Sequence, residues 1–283
     1  MCLPGTVETV REQVEREGGP RFDRRRLLLG GAATAVAAAF PAAALADDDD
    51  DDKPKRPRLQ DLTHTFREGF PVFVSGEEPE RETIASYGTD GFYAQKWTFG
   101  EHSGTHMDAP GHFIPGGRLS PDISVQELLV PIVVVDITRK AQSDPNAMVE
   151  VEDLVRFERR RGRIPRGALV AAHSGWASKV DDPDAFKGGP AWPDYNFPGW
   201  GEEAAMWLAE HRDVTGIGID TMSLDPGNST TFPVHVGFLG TDRYGIENLT
   251  NLDKIPPRGA RAYVGLIPWE EGSGGPCRIV AAW

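Results

Sequence analysis

The chain has 283 residues, 39% hydrophobic and 26% charged, which is enough apolar material for one large folded domain or two small ones. Its formal charge of −13 disfavours nucleic acid and anionic membrane surfaces as partners. With only two cysteines, Cys2 and Cys277, a disulfide-stapled scaffold is excluded.

In chain order, Asp23-Arg24-Arg25-Arg26 comes before Leu27-Leu28-Leu29 and an Ala/Gly-rich apolar run ending at Ala46. The run matches a signal-peptide core and is short for a membrane span. Ala44-Leu45-Ala46 supplies an A-x-A cleavage site, and paired arginines before the run predict the twin-arginine export route. Residues 1–46 are therefore expected to be a signal peptide. The mature protein would be exported to the cell envelope or beyond, with no membrane partner after cleavage. Cys2 would leave with the signal, so Cys277 has no cysteine to pair with. Residues 47–58 join six consecutive aspartates to a basic, proline-containing run; like charges repel and stay solvated, so this predicts a flexible tether. Residues 59–283 form the folded domain.

Within that domain short β-like runs dominate. Strands are expected at 59–65, 93–99, 130–137, 168–172, 214–219, 261–267 and 278–282. Helical periodicity appears at 150–161, where Val151, Leu154, Val155 and Phe157 make an apolar stripe. It appears again at 201–211, with Ala204, Ala205, Trp207 and Leu208 facing inward. The class is α/β with a β-rich core. The stretch 181–200 is rich in proline and glycine and carries Trp192, Tyr195, Phe197 and Trp200. Its aromatics either wall a pocket or glue the loop to the core or to a second subunit.

Three of the seven histidines fall in His102-Ser-Gly-Thr-His106-Met-Asp108-Ala-Pro-Gly-His112. His102, His106, Asp108 and His112 share parity, so an extended segment would point them to one side. Gly104, Pro110 and Gly111 argue against a helix there. Four metal-competent side chains on one face are costly to bury without a partner, so the segment predicts a metal site. Further ligands must come from elsewhere. His235, in a strand-and-turn context, precedes Glu247 by twelve residues. His64 is expected to be a hydrogen-bonded structural histidine in the opening strand, and His211 a solvent-exposed residue at a helix end. A His/Asp/Glu set suits zinc or manganese, which activates water near neutral pH and polarises a carbonyl.

These residues resemble the metal-dependent cyclase family, which includes bacterial kynurenine formamidase and isatin hydrolase. The resemblance runs in order through Asp61-Leu-Thr-His64, the segment from His102 to His112, and Ser174-Gly-Trp176, where members carry Thr-Gly-Trp. It continues through Phe197-Pro-Gly199, Gly218-Ile-Asp220 up to Asp225, Ile246-Glu247-Asn-Leu-Thr-Asn-Leu-Asp253 and Gly274-Gly-Pro-Cys-Arg278. It implies a swivelling β/β/α fold over essentially all of 59–283. It implies one or two divalent ions, zinc or manganese, on His102, His106, Asp108, His235 and Glu247, with Asp108 able to bridge. It also makes His112 the catalytic acid–base, and Ser174 and Trp176 are candidates to contact substrate. The implied reaction is hydrolysis of a C–N amide bond in a small molecule. The leading substrate is N-formylkynurenine, giving kynurenine and formate, and a cyclic amide such as isatin is the alternative. Assembly as a homo-oligomer is also implied. The same ligands would serve an exported metal-binding protein without turnover, which would have no use for His112.

Overall fold

The computed structural model describes residues 57–283, so the expected export segment 1–46 and the expected tether up to residue 56 lie outside the described residues. Twelve strands are found there. They are β1 (Leu59–Asp61), β2 (Glu80–Ala85), β3 (Ala94–Thr98), β4 (His106–Asp108), β5 (Leu129–Asp136) and β6 (Met148–Val149). The rest are β7 (Leu169–His173), β8 (Gly199–Trp200), β9 (Gly216–Ile219), β10 (Tyr244–Glu247), β11 (Ala260–Leu266) and β12 (Gly274–Ala282). Two long helices, α1 (Val151–Arg161) and α2 (Glu202–Arg212), join β5 to β7 and β7 to β9.

Described residues divide into two compact units. Residues 81–96 belong to the smaller one, where β2 and β3 pair across a helical turn at Tyr87–Asp90 and Tyr87 stacks on Tyr93. The larger unit comprises residues 57–80 and 97–283. Its main sheet runs β1-β12-β11-β5-β7-β9-β10-β4, and β4 also pairs with β12. Seven strands thereby close on themselves as a barrel, with β1 laid along β12. The segment from β5 through β10 is parallel; the remaining pairings are antiparallel.

The continuous apolar run in β5 follows from burial on both faces. Val133 and Val135 point outward to α1 and α2, joining Val170, Ile217, Leu154 and Leu208. Val130, Ile132 and Val134 point into the barrel with Leu169, Ile246 and Ala262. Each fully buried side chain of this kind contributes roughly 1.5–3 kcal/mol. On β9 the inward positions are Gly216 and Gly218, because Tyr244 and Leu249 already fill that space. A Cβ would lie 2.4 Å from the Tyr244 ring and 2.8 Å from Leu249.

Helix α1 begins where Asp153 accepts a hydrogen bond from the Glu150 backbone N–H, and it ends in Arg159, Arg160 and Arg161, a charge order that suits the helix dipole. Helix α2 buries Ala204, Ala205, Leu208 and Ala209. Trp207, expected to face inward, packs against the core but is only half-buried, with Arg212 over its ring at 4.0 Å. His211 is exposed, as expected. No helix among the described residues is long and apolar enough to cross a membrane.

In the 181–200 loop, Tyr195, Phe197 and Trp200 are buried in the core. Trp192 stays exposed and stacks on Phe232. Cys277 is a free buried thiol, which burial pushes above its ordinary range. That fits a packing role.

Candidate metal centre and substrate cavity

The site lies on the seam where the barrel closes. Strand β4 pairs with β10, setting His106 opposite Glu247, and with β12, setting Asp108 opposite Gly274. The His102–His112 segment is extended only over His106–Asp108. His102 sits in a bend before it, and His112 ends the helical turn Pro110–His112. The expected single extended face is therefore replaced by a strand flanked by two turns. Gly104 permits the first bend through φ +66° and leaves no room for a side chain beside Phe66.

His235 is not in a strand. It opens the helical turn His235–Leu239 and is carried to the seam from the α2 side of the barrel. Its ring Nε2 lies 3.1 Å from Glu247 Oε1 and 3.5 Å from Asp108 Oδ2. His106 Nε2 lies 3.3 Å from both Asp108 Oδ1 and Glu247 Oε2. His102 Nδ1 lies 2.7 Å from Asp108 Oδ1. Two overlapping groups result, His102/His106/Asp108 and Asp108/His235/Glu247; in each, ligand-type atoms fall within 4.8 Å of one another.

Backbone and carboxylate partners orient the rings. His106 Nδ1–H donates to the Gly104 carbonyl at 2.9 Å, so its Nε2 faces the cluster. His235 Nδ1–H donates to Asp225 Oδ2 at 2.6 Å, with the same result. The Leu224 N–H donates to Glu247 Oε1 at 2.8 Å and fixes that carboxylate. On the other side, His102 Nε2 meets Ser273 Oγ at 2.9 Å, and the Ser273 hydroxyl donates to Glu101 at 2.7 Å.

Electrostatics shows what the cluster lacks. Burial alone would lower the His106 imidazole, but Asp108 and Glu247 outweigh it and push its pKa up to about 10. His235 moves the same way: burial opposes its charge, and Asp108, Asp225 and Glu247 prevail. Burial would raise Asp108, yet His102, His106 and His235 hold it well below the carboxylate range. Two buried carboxylates thus have only imidazoles for partners at ion-pair distance. His106 Nε2 and Asp108 Oδ2 are both buried with no hydrogen-bond partner. Orphaned polar atoms converging on carboxylates that only protonated imidazoles neutralise fit a bound cation, which would take the place of those protons. The mixed nitrogen and oxygen donors fit zinc or manganese.

His112 behaves differently. Its ring stacks on His102 at 3.7 Å and stands 6.1 Å from the His235 ring, facing the cavity. Burial lowers its pKa to about 4, so the imidazole is neutral near pH 7 and able to take a proton. The cavity holds about 300 Å³. Val72, Phe73, Phe113, Met222 and Phe232 give it apolar walls, and the cluster forms its floor.

Ser174 and Trp176 are not brought there. The Ser174 hydroxyl is given to Asp220 at 2.5 Å, and Asp220 also collects the backbone N–H groups of Ser174, Gly175 and Trp176. The Trp176 indole N–H donates to the Phe186 carbonyl within a separate core cluster. Both shape the turn after β7, and neither lines the cavity containing the metal-type cluster. His64 is likewise only half as expected. Its backbone N–H bonds Thr105 Oγ1, but its ring Nε2 is buried without a partner. Asp225, Glu101 and Ser273 were not anticipated. Asp225 and Ser273 sit inside or beside blocks of sequence that carried the resemblance, yet nothing in spacing ties them to a histidine.

A barrel whose closing seam gathers a His/Asp/Glu cluster, open to an apolar cavity beside a neutral histidine, defines a metal-dependent hydrolase. Comparison agrees: the Cyclase family model matches residues 60–226, and the chain belongs to that family. It is 31% identical to isatin hydrolase from Roseibium aggregatum over 71% of this chain and 80% of that protein. Isatin hydrolase A from Ralstonia solanacearum superposes with a TM-score of 0.75 at 33% identity, covering 80% of this chain and 92% of that one. Kynurenine formamidase from Salinibacter ruber is 29% identical over 55% of this chain and 64% of its own length.

Proposed function

We propose that this protein hydrolyses the C–N bond of a small aryl amide. His102, His106, Asp108, His235 and Glu247 hold one or two divalent ions, zinc or manganese, and His112 carries the proton. The observation behind this is the convergence of His106 Nε2 and Asp108 Oδ2, both buried without a hydrogen-bond partner, beside a neutral, cavity-facing imidazole. A divalent ion at this position supplies Lewis-acid polarisation of the carbonyl and an activated water. Asp225 and the Gly104 carbonyl hold two imidazoles with their free nitrogens inward. His112 takes a proton from the attacking water and returns one to the departing nitrogen. The apolar walls hold the aryl ring and exclude bulk water.

We rank a cyclic aryl amide such as isatin first. That order departs from the expectation raised by sequence, which put N-formylkynurenine ahead. Two observations support the change: the similarity to isatin hydrolases, and a cavity with no lysine or arginine among the described residues of its lining to receive an amino-acid carboxylate. Similarity to kynurenine formamidases supports the N-formyl substrate as the second reading. The test is turnover of both compounds by chelator-stripped protein before and after zinc or manganese is restored. Metal-restored hydrolysis, faster on isatin, is the expected result. Chelator-insensitive turnover would refute the metal role, and tight metal binding with neither compound hydrolysed would refute the catalytic one.

A further inference from the structure

One wall of the cavity comes from the loop between Phe70 and Glu80, which contributes Val72, Phe73, Val74 and, at its exposed outer edge, Glu77. This loop is held in place from several sides. The Tyr195 hydroxyl donates to the Phe73 carbonyl at 3.1 Å, and the Gly69 N–H donates to the Pro79 carbonyl at 3.0 Å. Glu78 accepts from the Gly76 N–H at 2.8 Å, while buried Lys187 reaches Ser75 Oγ at 3.2 Å and lies 3.9 Å from the Glu78 carboxylate. The aromatic loop at 181–200 thus serves the cavity from behind, by pinning the wall that faces it.

At the floor of the cavity Asp108 and Glu247 are matched by imidazoles, so the charge asymmetry lies at the outer wall, where no lysine or arginine lines the cavity among the described residues. The cation that belongs to this loop, Lys187, is directed to Glu78 and Ser75. Among the described residues, Glu77 is then the one charged lining side chain outside the floor cluster.

We infer that Glu77 sets the charge preference of the site, disfavouring aryl amides that carry an anionic ring substituent and favouring neutral or cationic ones. This deepens the aryl-amide reading of the same cavity and rests on it. Ring substituents pointing away from the metal-type floor meet the Glu77 edge. A second carboxylate brought to within several ångströms of this exposed one binds about three- to tenfold more weakly, at low salt, than a neutral group of the same shape.

The experiment compares a matched pair of lactams, oxindole-5-carboxylate and oxindole-5-carboxamide. Their binding to the full-length zinc-loaded protein is measured by calorimetry at low salt. The parent is expected to prefer the carboxamide. Glu77→Gln should shift the ratio of the two dissociation constants about three- to tenfold toward the acid, Glu77→Lys should shift it further, and 0.5 M salt should shrink both shifts. An unchanged ratio in both variants, or no binding of either lactam, overturns the inference. Because binding is read without turnover, failure of the hydrolase reading shows up separately, as tight lactam binding with no isatin hydrolysis.

Discussion

Replacing Asp225 by Asn tests whether a carboxylate behind the cluster governs it. Asp225 is fully buried and accepts three hydrogen bonds: Val234 N–H at 3.0 Å on Oδ1, with His235 N–H at 3.1 Å and His235 Nδ1–H at 2.6 Å on Oδ2. An asparagine amide has one oxygen, so either Val234 or His235 must face an NH2 group. Leaving one buried donor unmet costs about 1–3 kcal/mol of apo stability. The charge is lost as well, and with it the support that keeps the proton on His235 Nδ1 and makes Nε2 a strong donor. Loss of such a partner weakens metal affinity about 10- to 100-fold, or about 1.4–2.7 kcal/mol. Urea unfolding of the apo protein measures the first quantity and competition with a zinc chelator the second. Zinc affinity within threefold of the parent, in a variant that still unfolds cooperatively, would refute the reasoning.

His112→Ala should lower isatin turnover at least about 100-fold while bound metal, measured by elemental analysis, stays near the parent level; matched losses of both would make His112 a ligand instead. His64 gives a pH prediction. Burial lowers its pKa from 6.5 to about 4, so folding favours the neutral ring. Its contribution is complete above pH 6.5 and declines as pH falls toward 4, because the unfolded chain takes up the proton first. Between pH 7 and 5 the loss is about 1–2 kcal/mol, with allowance for partial exposure. His64→Gln should flatten that part of the stability profile in urea titrations, and an unaltered slope would sink the idea.

Legibility followed the range of the physics involved. The β5 strand was readable because both of its faces are buried, so every position from Val130 to Val135 is apolar or proline. His102, His106 and Asp108 were readable because they are near neighbours, and costly residues so close together need a shared reason. Glu247 and His235 were weak as a pair by spacing alone. Their meeting depends on the β4–β10 register and on a helical turn, and Phe232-Pro-Val-His235 does not announce that turn locally. The Ser174–Asp220 bond was not readable, because a hydroxyl looks the same in sequence whether it faces a substrate or a buried aspartate. Ser273 reaches His102 across 171 positions, a distance over which no sequence pattern operates.

Barrel closure has a consequence for how the site comes into being. The strand that completes the ring, β4, is also the one that carries His106 and Asp108, and its two neighbours bring Glu247 and the close-packed Gly274 to their sides. At Gly274 a Cβ would stand 2.2 Å from the Met107 carbonyl and 2.9 Å from the His102 ring, so the seam tolerates no slack. An open-ringed folding intermediate would have the ligands on separate edges and no high-affinity site. Metal uptake would therefore report completion of the fold, and an ion captured at the seam would act as a clasp, slowing the reopening of the ring by occupying the joint where it would begin.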